Sequence, residues 1–209
     1  MYSPKFLEWY YITGNKQIEY PVEHIWESTY LEFAKSDFDQ EKCDRNFVNA
    51  VSNAKKALHL RVEALATAFG WNHIKKRDNF PSKLDFLGQC GIAAPNIIRR
   101  INKFRNTVEH DYHLPSEIEA EEYLDIVELY LMATNKITSE FPDGCDAQLM
   151  SILDEYNEEW NYPSEIDIYF PEAQGVFKIT HKDKELVKID IHNSDYFNWV
   201  SILVRQTEA

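Results

Sequence analysis

The residues best suited to chemistry lie on one predicted helix that runs from Ile97 toward Pro115. Its apolar residues recur every three or four positions, which is the spacing of one buried helix face: Ile97, Ile101, Phe104 and Val108. The other flank carries groups that suit phosphate, namely Arg99, Lys103, Asn106 and His110. An imidazole with an ordinary pKa of about 6.5 can take up or release a proton near neutral pH. A guanidinium can donate to two phosphate oxygens at once. This helix is therefore a candidate site for proton transfer beside a phosphate.

Spacing along the helix limits what one copy of it can do. Asn106 and His110 are four residues apart and can touch across one turn. Arg105 and His110 are five apart, which places them roughly 140° apart around a regular helix. One helix therefore does not direct both side chains at a single substrate atom. A second copy crossing the first would bring two arginines and two histidines together, so we expect a homodimer.

The pattern that begins at Arg105 is Arg-Asn-Thr-Val-Glu-His-Asp-Tyr and ends at Tyr112. It resembles the R-x(4–6)-H motif of HEPN domains. The tyrosine two residues after His110 is similar to the form found in HEPN toxins paired with small nucleotidyltransferase antitoxins. The resemblance covers about Tyr20 to Phe141. It implies a mostly α-helical fold, an antiparallel HEPN-like bundle whose motif helices face each other in a dimer.

The same resemblance implies a metal-independent endoribonuclease that acts as a toxin or antiphage effector. His110 would transfer protons, Arg105 would stabilise the charged phosphorane, and Asn106 would orient the pair. Tyr112 corresponds to the position that such antitoxins modify with adenylate groups. The implied partners are RNA, a second copy of the chain and an antitoxin such as a small nucleotidyltransferase. No cofactor is implied.

Two other interpretations use the same residues. Arg105 and Glu109 are four apart and can form an ion pair, in which case His110 merely ends the helix. A separate alternative is a catalytically silent HEPN module that binds RNA or a partner protein through the same face. A metal site at His110 and His113 lacks an identifiable third ligand, so we predict none.

Charge is distributed unevenly along the 209 residues, whose net charge is −13. Residues 42–105 hold 13 basic and 4 acidic side chains, whereas residues 106–175 hold 1 basic and 18 acidic ones. Such asymmetry indicates a surface that faces a polyanion. The predicted RNA-binding residues are Lys75, Lys76, Arg77, Arg99, Arg100 and Lys103. The alternative is a bundle in which acidic and basic helix faces neutralise one another on packing.

Periodicity divides the chain into a helical part, residues 1–141, and a small C-terminal α+β appendage, residues 142–209. Predicted helices span about 21–38, 44–69, 82–89 and 116–141, the last beginning with a Ser116–Glu119 capping box. Ile25, Trp26, Tyr30 and Phe33 are expected on the buried face of the first. Residues 145–160 are predicted as a further helix, followed by strands near 166–170, 176–179 and 186–191. Residues 197–204 fit either a strand or a helix.

The three cysteines, Cys43, Cys90 and Cys145, have no paired spacing, which favours reduced thiols. The first residues lack a basic segment followed by an apolar run, so no signal peptide is predicted. No stretch approaches the 18 or so apolar residues of a membrane span. We therefore expect a cytoplasmic protein with no membrane partner.

Overall fold

A computed structural model describes residues 2–20, 25–74, 77–92, 113–150 and 162–208. The α-helices are α1 (Glu27–Asp39), α2 (Asp44–Ala68), α3 (Phe80–Gln89), α4 (Glu117–Ala133), α5 (Asn135–Ser139) and α6 (Tyr196–Glu208). The strands are β1 (Tyr10–Ile12), β2 (Cys145–Leu149), β3 (Glu165–Tyr169), β4 (Val176–His181) and β5 (Lys184–Asp190). Short 3-10 helices span Pro4–Trp9 and Trp71–His73. The prediction of a mostly helical chain with a C-terminal α+β region is confirmed.

Helix α2 lies at the centre of the helical part, where α1, α3 and α4 all pack against it. Its observed span, Asp44–Ala68, confirms the predicted helix to within one residue. The helix stops because Gly70 adopts a left-handed backbone with φ of 92°. A Cβ at this position would lie 2.6 Å from the Cα of Gly175, so the close approach of the two backbones also requires glycine.

The five strands form one antiparallel sheet in the order β1-β2-β3-β4-β5. Alternate residues are buried, as period-two strands require, including Ile166, Ile168, Phe177 and Ile179. Helix α6 packs on β1, on β4 and on the 3-10 helix Pro4–Trp9. Lys182 and Asp183 both have positive φ and make the tight turn between β4 and β5. The strand predictions after residue 165 are thus confirmed, and residues 197–204 are helical.

The start of the C-terminal region differs from the prediction. Residues 145–149 form a strand and not the beginning of a helix, because Cys145 and Ala147 point into the core while the residue between them is exposed. Strand β2 pairs with β1 from the N-terminal end of the chain, with Tyr10 opposite Leu149 and Ile12 opposite Ala147. The predicted boundary at 141/142 therefore runs between residues that share one sheet and one hydrophobic core.

The predicted buried face of the first helix is wrong in part. Ile25 and Trp26 are exposed and precede α1, Phe33 is exposed within it, and Tyr30 is partly buried against the core. The buried residues of α1 are Glu27 and Ala34, and Glu27 pairs with Arg61 of α2. No helix within the described ranges has both the length and the apolar composition of a membrane span.

Candidate nucleic-acid interface

Most of the predicted site lies outside the described residues. This holds for the catalytic candidates Arg105, Asn106 and His110, for the modification candidate Tyr112, and for Lys75, Lys76, Arg99, Arg100 and Lys103. Of the predicted RNA-binding residues, Arg77 is described, and its side chain is exposed. The dimer predicted from the motif helices likewise rests on residues 97–112, which lie outside the described ranges. Residues 97–112 are called the motif segment below. The structure describes the residues on either side of this segment and the neighbouring surfaces.

The C-terminal end of the motif segment is attached to α4 by a capping box. The Ser116 hydroxyl accepts a hydrogen bond from the Glu119 amide at 3.3 Å, and the Ser116 amide donates to the Glu119 carboxylate at 2.8 Å. These bonds from Ser116 hold the pKa of Glu119 below its ordinary value. His113 Nε2 lies 3.2 Å from the same carboxylate. The predicted capping box is confirmed, and His113 is engaged three residues after His110.

A buried lysine forms an ion cluster close in sequence to the predicted basic residues 75–77. Lys83 of α3 is 6% exposed, and its amino group donates to Glu63 and to Asp78, each at 2.7 Å. Burial alone would lower the pKa of Lys83, but the two carboxylates outweigh burial and raise it. Asp78 also accepts a hydrogen bond from Trp71 Nε1 at 3.1 Å. Trp71 and Asp78 are therefore joined to each other, and Asp78 is joined to Lys83 of α3.

The basic block of residues 42–105 is partly neutralised inside the molecule. Seven of its basic residues lie in the described ranges: Lys42, Arg45, Lys55, Lys56, Arg61, Arg77 and Lys83. Three of them pair with carboxylates, since Lys42 contacts Glu117, Arg61 contacts Glu27, and Lys83 contacts Glu63 and Asp78. For these three residues the acidic and basic faces complement each other within the bundle. Their charge is not evidence of an RNA-facing surface.

The Arg61 cluster was not predicted from the sequence. Arg61 is 4% exposed and Glu27 is 7% exposed, and Arg61 Nη2 donates to Glu27 Oε1 at 2.6 Å. Arg61 Nη1 donates to the hydroxyls of Thr134 and Thr138, both at 3.1 Å. Tyr20 donates its phenol proton to Glu27 Oε1 at 2.7 Å, and burial is the main cause of its raised pKa. The available signal was the spacing of Arg61, which follows the buried Leu58 by three residues and precedes the buried Leu65 by four.

A groove opens over this cluster between α1 and α4. Its volume is about 430 Å³, and it is lined by Glu27, Ser28, Leu31, Arg61, Leu131, Met132 and Asn135. Leu31, Leu131 and Met132 make the walls apolar, while the arginine and the glutamate supply charge at the base. Within the described part of the chain, Arg61 Nε and Glu27 Oε2 are buried without a hydrogen-bond partner. One donor and one acceptor are thus left over beside a concave, mostly apolar surface.

Outward-facing apolar residues lie along α4. Ile118, Leu129 and Met132 are well exposed, and Leu114 is exposed just ahead of the helix. Residues 118, 122, 125, 129 and 132 share one helix face because they are separated by three or four positions. On that face Glu122 and Asp125 lie between Ile118 on one side and Leu129 and Met132 on the other. Its composition suits contact with another macromolecule that is itself apolar and basic.

Metal ligation has no support among the residues described. In those ranges no group of three or more histidine, cysteine or acidic side chains has the proximity that a metal ion requires. Comparison with family models, with curated proteins and with solved structures finds no match to this chain.

Proposed function

We propose that the protein is a metal-independent endoribonuclease of the HEPN type that cleaves RNA in a groove between two protomers. The observation that carries the proposal is the sequence Arg105-Asn-x-x-x-His110-x-Tyr112, which resembles the HEPN motif residue by residue. In the sequence the motif falls between the residues of α3 and those of α4, and both of these helices pack against α2. The described residues between 27 and 139 are mostly helical, which is compatible with a bundle of this type.

The chemistry assigned to the motif follows from its residue types. The 2′-hydroxyl of a ribose attacks the adjacent phosphorus, and His110 removes its proton or protonates the departing 5′-oxygen. The guanidinium of Arg105 stabilises the negative charge of the phosphorane with two donors. Asn106, four residues from His110, holds the imidazole in a fixed orientation by hydrogen bonding. Two protomers supply two such sets, one for each proton transfer.

Tyr112 is proposed as the site of control. An adenylate group on its phenol would add bulk and negative charge at the mouth of the groove, where the phosphate of the RNA must enter. Like-charge repulsion would then exclude the substrate. A small nucleotidyltransferase antitoxin would supply that group. Tyr112→Phe is therefore expected to cleave RNA as the wild type does and to resist modification.

The experiment is incubation of purified protein with total RNA in EDTA, with light scattering on the same sample. The proposal requires a mass of about twice 24.6 kDa and cleavage that persists in EDTA. His110→Ala should remain folded and dimeric and should not cleave. Tyr112→Phe is the matched control, because it changes a motif residue that has no catalytic role. A monomer that retains full activity would contradict the composite site.

A second candidate is favoured by the outward face of α4. In this alternative the protein is a catalytically silent HEPN module that binds a partner protein, and the exposed Ile118, Leu129 and Met132 form its docking surface. The neutralised state of Lys42, Arg61 and Lys83 removes part of the charge argument for RNA and so favours this alternative. RNA binding without cleavage, or partner binding that Leu129→Asp abolishes, would support it.

A further inference from the structure

We propose that the groove between α1 and α4 binds a nucleobase, whose hydrogen-bonding edge meets Arg61 and Glu27. The proposal deepens the RNA-directed function, on which its biological meaning rests, but it is carried by the groove alone. The volume of about 430 Å³ lies within the range of roughly 300–1,000 Å³ that small-molecule sites occupy.

Arg61 and Glu27 line the groove, and each holds one buried polar atom that has no hydrogen-bond partner among the described residues. Arg61 uses Nη1 and Nη2 within the bundle, and Glu27 uses Oε1 to accept from Arg61 and Tyr20. Among the described residues nothing pairs with Arg61 Nε or with Glu27 Oε2. A buried polar atom left without a hydrogen-bond partner is destabilising. A ligand that supplies both partners is therefore favoured at this place.

The charge of the cluster selects a neutral ligand. Arg61 and Glu27 carry opposite charges and are 2.6 Å apart, so their sum attracts neither a phosphate nor a free amine. A nucleobase is neutral, and its edge presents a donor next to an acceptor. Its flat faces are apolar enough to lie against Leu31, Leu131 and Met132, which line the groove. A base, free or within a single strand, is a ligand that is neutral, presents a donor beside an acceptor and has apolar faces.

Access requires one side chain to move. Both unpartnered atoms are covered, so the edge of a base reaches them only when a residue of the rim turns aside. Met132 is 68% exposed and lines the groove, and the methionine side chain is unbranched with three rotatable bonds. The proposal requires Met132, or another residue of the rim, to turn aside when a base binds.

The test measures binding of the four ribonucleosides by calorimetry or ligand-observed NMR. We expect at least one nucleoside to bind with a Kd of about 1 mM or tighter. Methylation of the ring nitrogen on its hydrogen-bonding edge should weaken it about tenfold, and ribose 5-phosphate should not bind. If a short single-stranded RNA displaces the nucleoside, the ligand is a base within RNA. If the RNA does not displace it, the ligand is a free nucleoside.

Two variants on α1 make the test specific. Ser28→Phe fills the groove and should weaken nucleoside binding about tenfold or more. Ser36→Phe is the matched control, because Ser36 is exposed on the same helix and does not line the groove. The proposal fails if no nucleoside binds the folded wild type, or if Ser28→Phe binds as Ser36→Phe does. His110→Ala should bind nucleosides normally, so loss of cleavage and loss of this site are separable.

Discussion

Two groups of basic residues differ in what they face. The first group consists of Lys42 just before α2, Arg61 in α2 and Lys83 in α3. Each of these side chains forms an ion pair with a carboxylate of the same chain. Arg99, Arg100, Lys103 and Arg105, in the motif segment, are proposed to face RNA. In the sequence the two groups form one continuous basic block. A block of basic residues in a sequence therefore predicts a nucleic-acid surface only where acidic side chains of the same bundle do not already pair with them.

The ion pairs among the described residues also differ in how deeply their side chains are buried. Arg61–Glu27 and Lys35–Glu128 both span 2.6 Å and both involve α1. The side chains of the first pair are 5% and 9% exposed, whereas those of the second are 45% and 38% exposed. Water screens the second pair and replaces its contacts when it breaks, but it cannot do so for the first. Equal distances therefore imply unequal contributions to stability.

The largest effects are expected from the two variants Arg105→Ala and Arg61→Ala, each compared with the wild type. Arg105→Ala should lower the cleavage rate by about 10²–10³-fold or more, because a preorganised donor to the phosphorane is lost. Its melting temperature should stay near that of the wild type, since Arg105 is not one of the apolar residues on the predicted buried face. Activity and thermal unfolding are measured on the same preparation. Equal activity of Arg105→Ala and wild type would contradict the catalytic assignment.

Arg61→Ala should show the opposite behaviour. Removing the guanidinium leaves Glu27 buried without its counter-charge, which costs about 3–5 kcal/mol of unfolding free energy. Urea unfolding measures this loss. Where the variant is still folded, the cleavage rate per folded molecule at saturating RNA should be unchanged, because Arg61 is assigned no part in the chemical step. A stable Arg61→Ala that has lost cleavage would place Arg61 in the catalytic machinery and would break the comparison between the two groups.

Sequence reasoning predicted the elements better than the orientation of their faces. The span of α2, the capping box at Ser116 and the strands near 166–170 and 176–179 follow from periodicity and from local hydrogen-bonding chemistry. The burial of Glu27 and the exposure of Trp26 do not, because they depend on Arg61 thirty-four residues away. Strand β2 was taken for a helix since its pairing partner, β1, is more than 130 residues earlier. In both cases the local structure depends on a partner that is distant in the sequence.

Lys83→Met should loosen the loop at residues 71–79 and lower the unfolding free energy by about 1 kcal/mol. The pKa of Lys83 is raised in the folded chain, so its pairing stabilises the protein fully below the unfolded pKa of about 10.4 and is lost as pH rises through the folded pKa. The pKa of Asp78 is lowered, so its contribution is present above about 3.9 and disappears as pH falls through the folded value.

Unfolding of wild type and Lys83→Met at several pH values tests this assignment. The difference between them should be constant from about pH 5 to pH 9 and should shrink outside that window at both ends. Lys178→Met is a matched control, because Lys178 lies on the sheet and is far from Asp78 in the sequence. A difference that grows toward acid pH would mean that Asp78 and Lys83 do not form the stabilising pair.

Lys75→Glu combined with Lys76→Glu should weaken RNA binding and make it less dependent on salt. Each phosphate contact that is lost lowers the slope of log K against log salt by about 0.7 for a single strand. The double variant Lys178→Glu, Lys188→Glu is the control, because these two lysines are cross-strand partners on the sheet. Equal slopes for both variants would show that the loop is not part of the RNA surface.

The smallest effect is expected for Lys35→Met. The Lys35–Glu128 pair is exposed, so its loss should change the unfolding free energy by about 0.2–1 kcal/mol. Salt should remove the difference, since an exposed pair is screened. A loss as large as that of Arg61→Ala would show that burial does not separate the two pairs as argued.

The most direct test of the proposed activity is the chemistry of the ends that the wild-type protein leaves on RNA in EDTA. Attack by the neighbouring 2′-hydroxyl leaves a 2′,3′-cyclic phosphate on one fragment and a 5′-hydroxyl on the other. End-specific ligation and sequencing of total RNA identify both. We predict cyclic phosphate and 5′-hydroxyl ends that are absent from His110→Ala. Ends with 3′-hydroxyl and 5′-phosphate groups, or ends equally abundant in His110→Ala, would contradict the account.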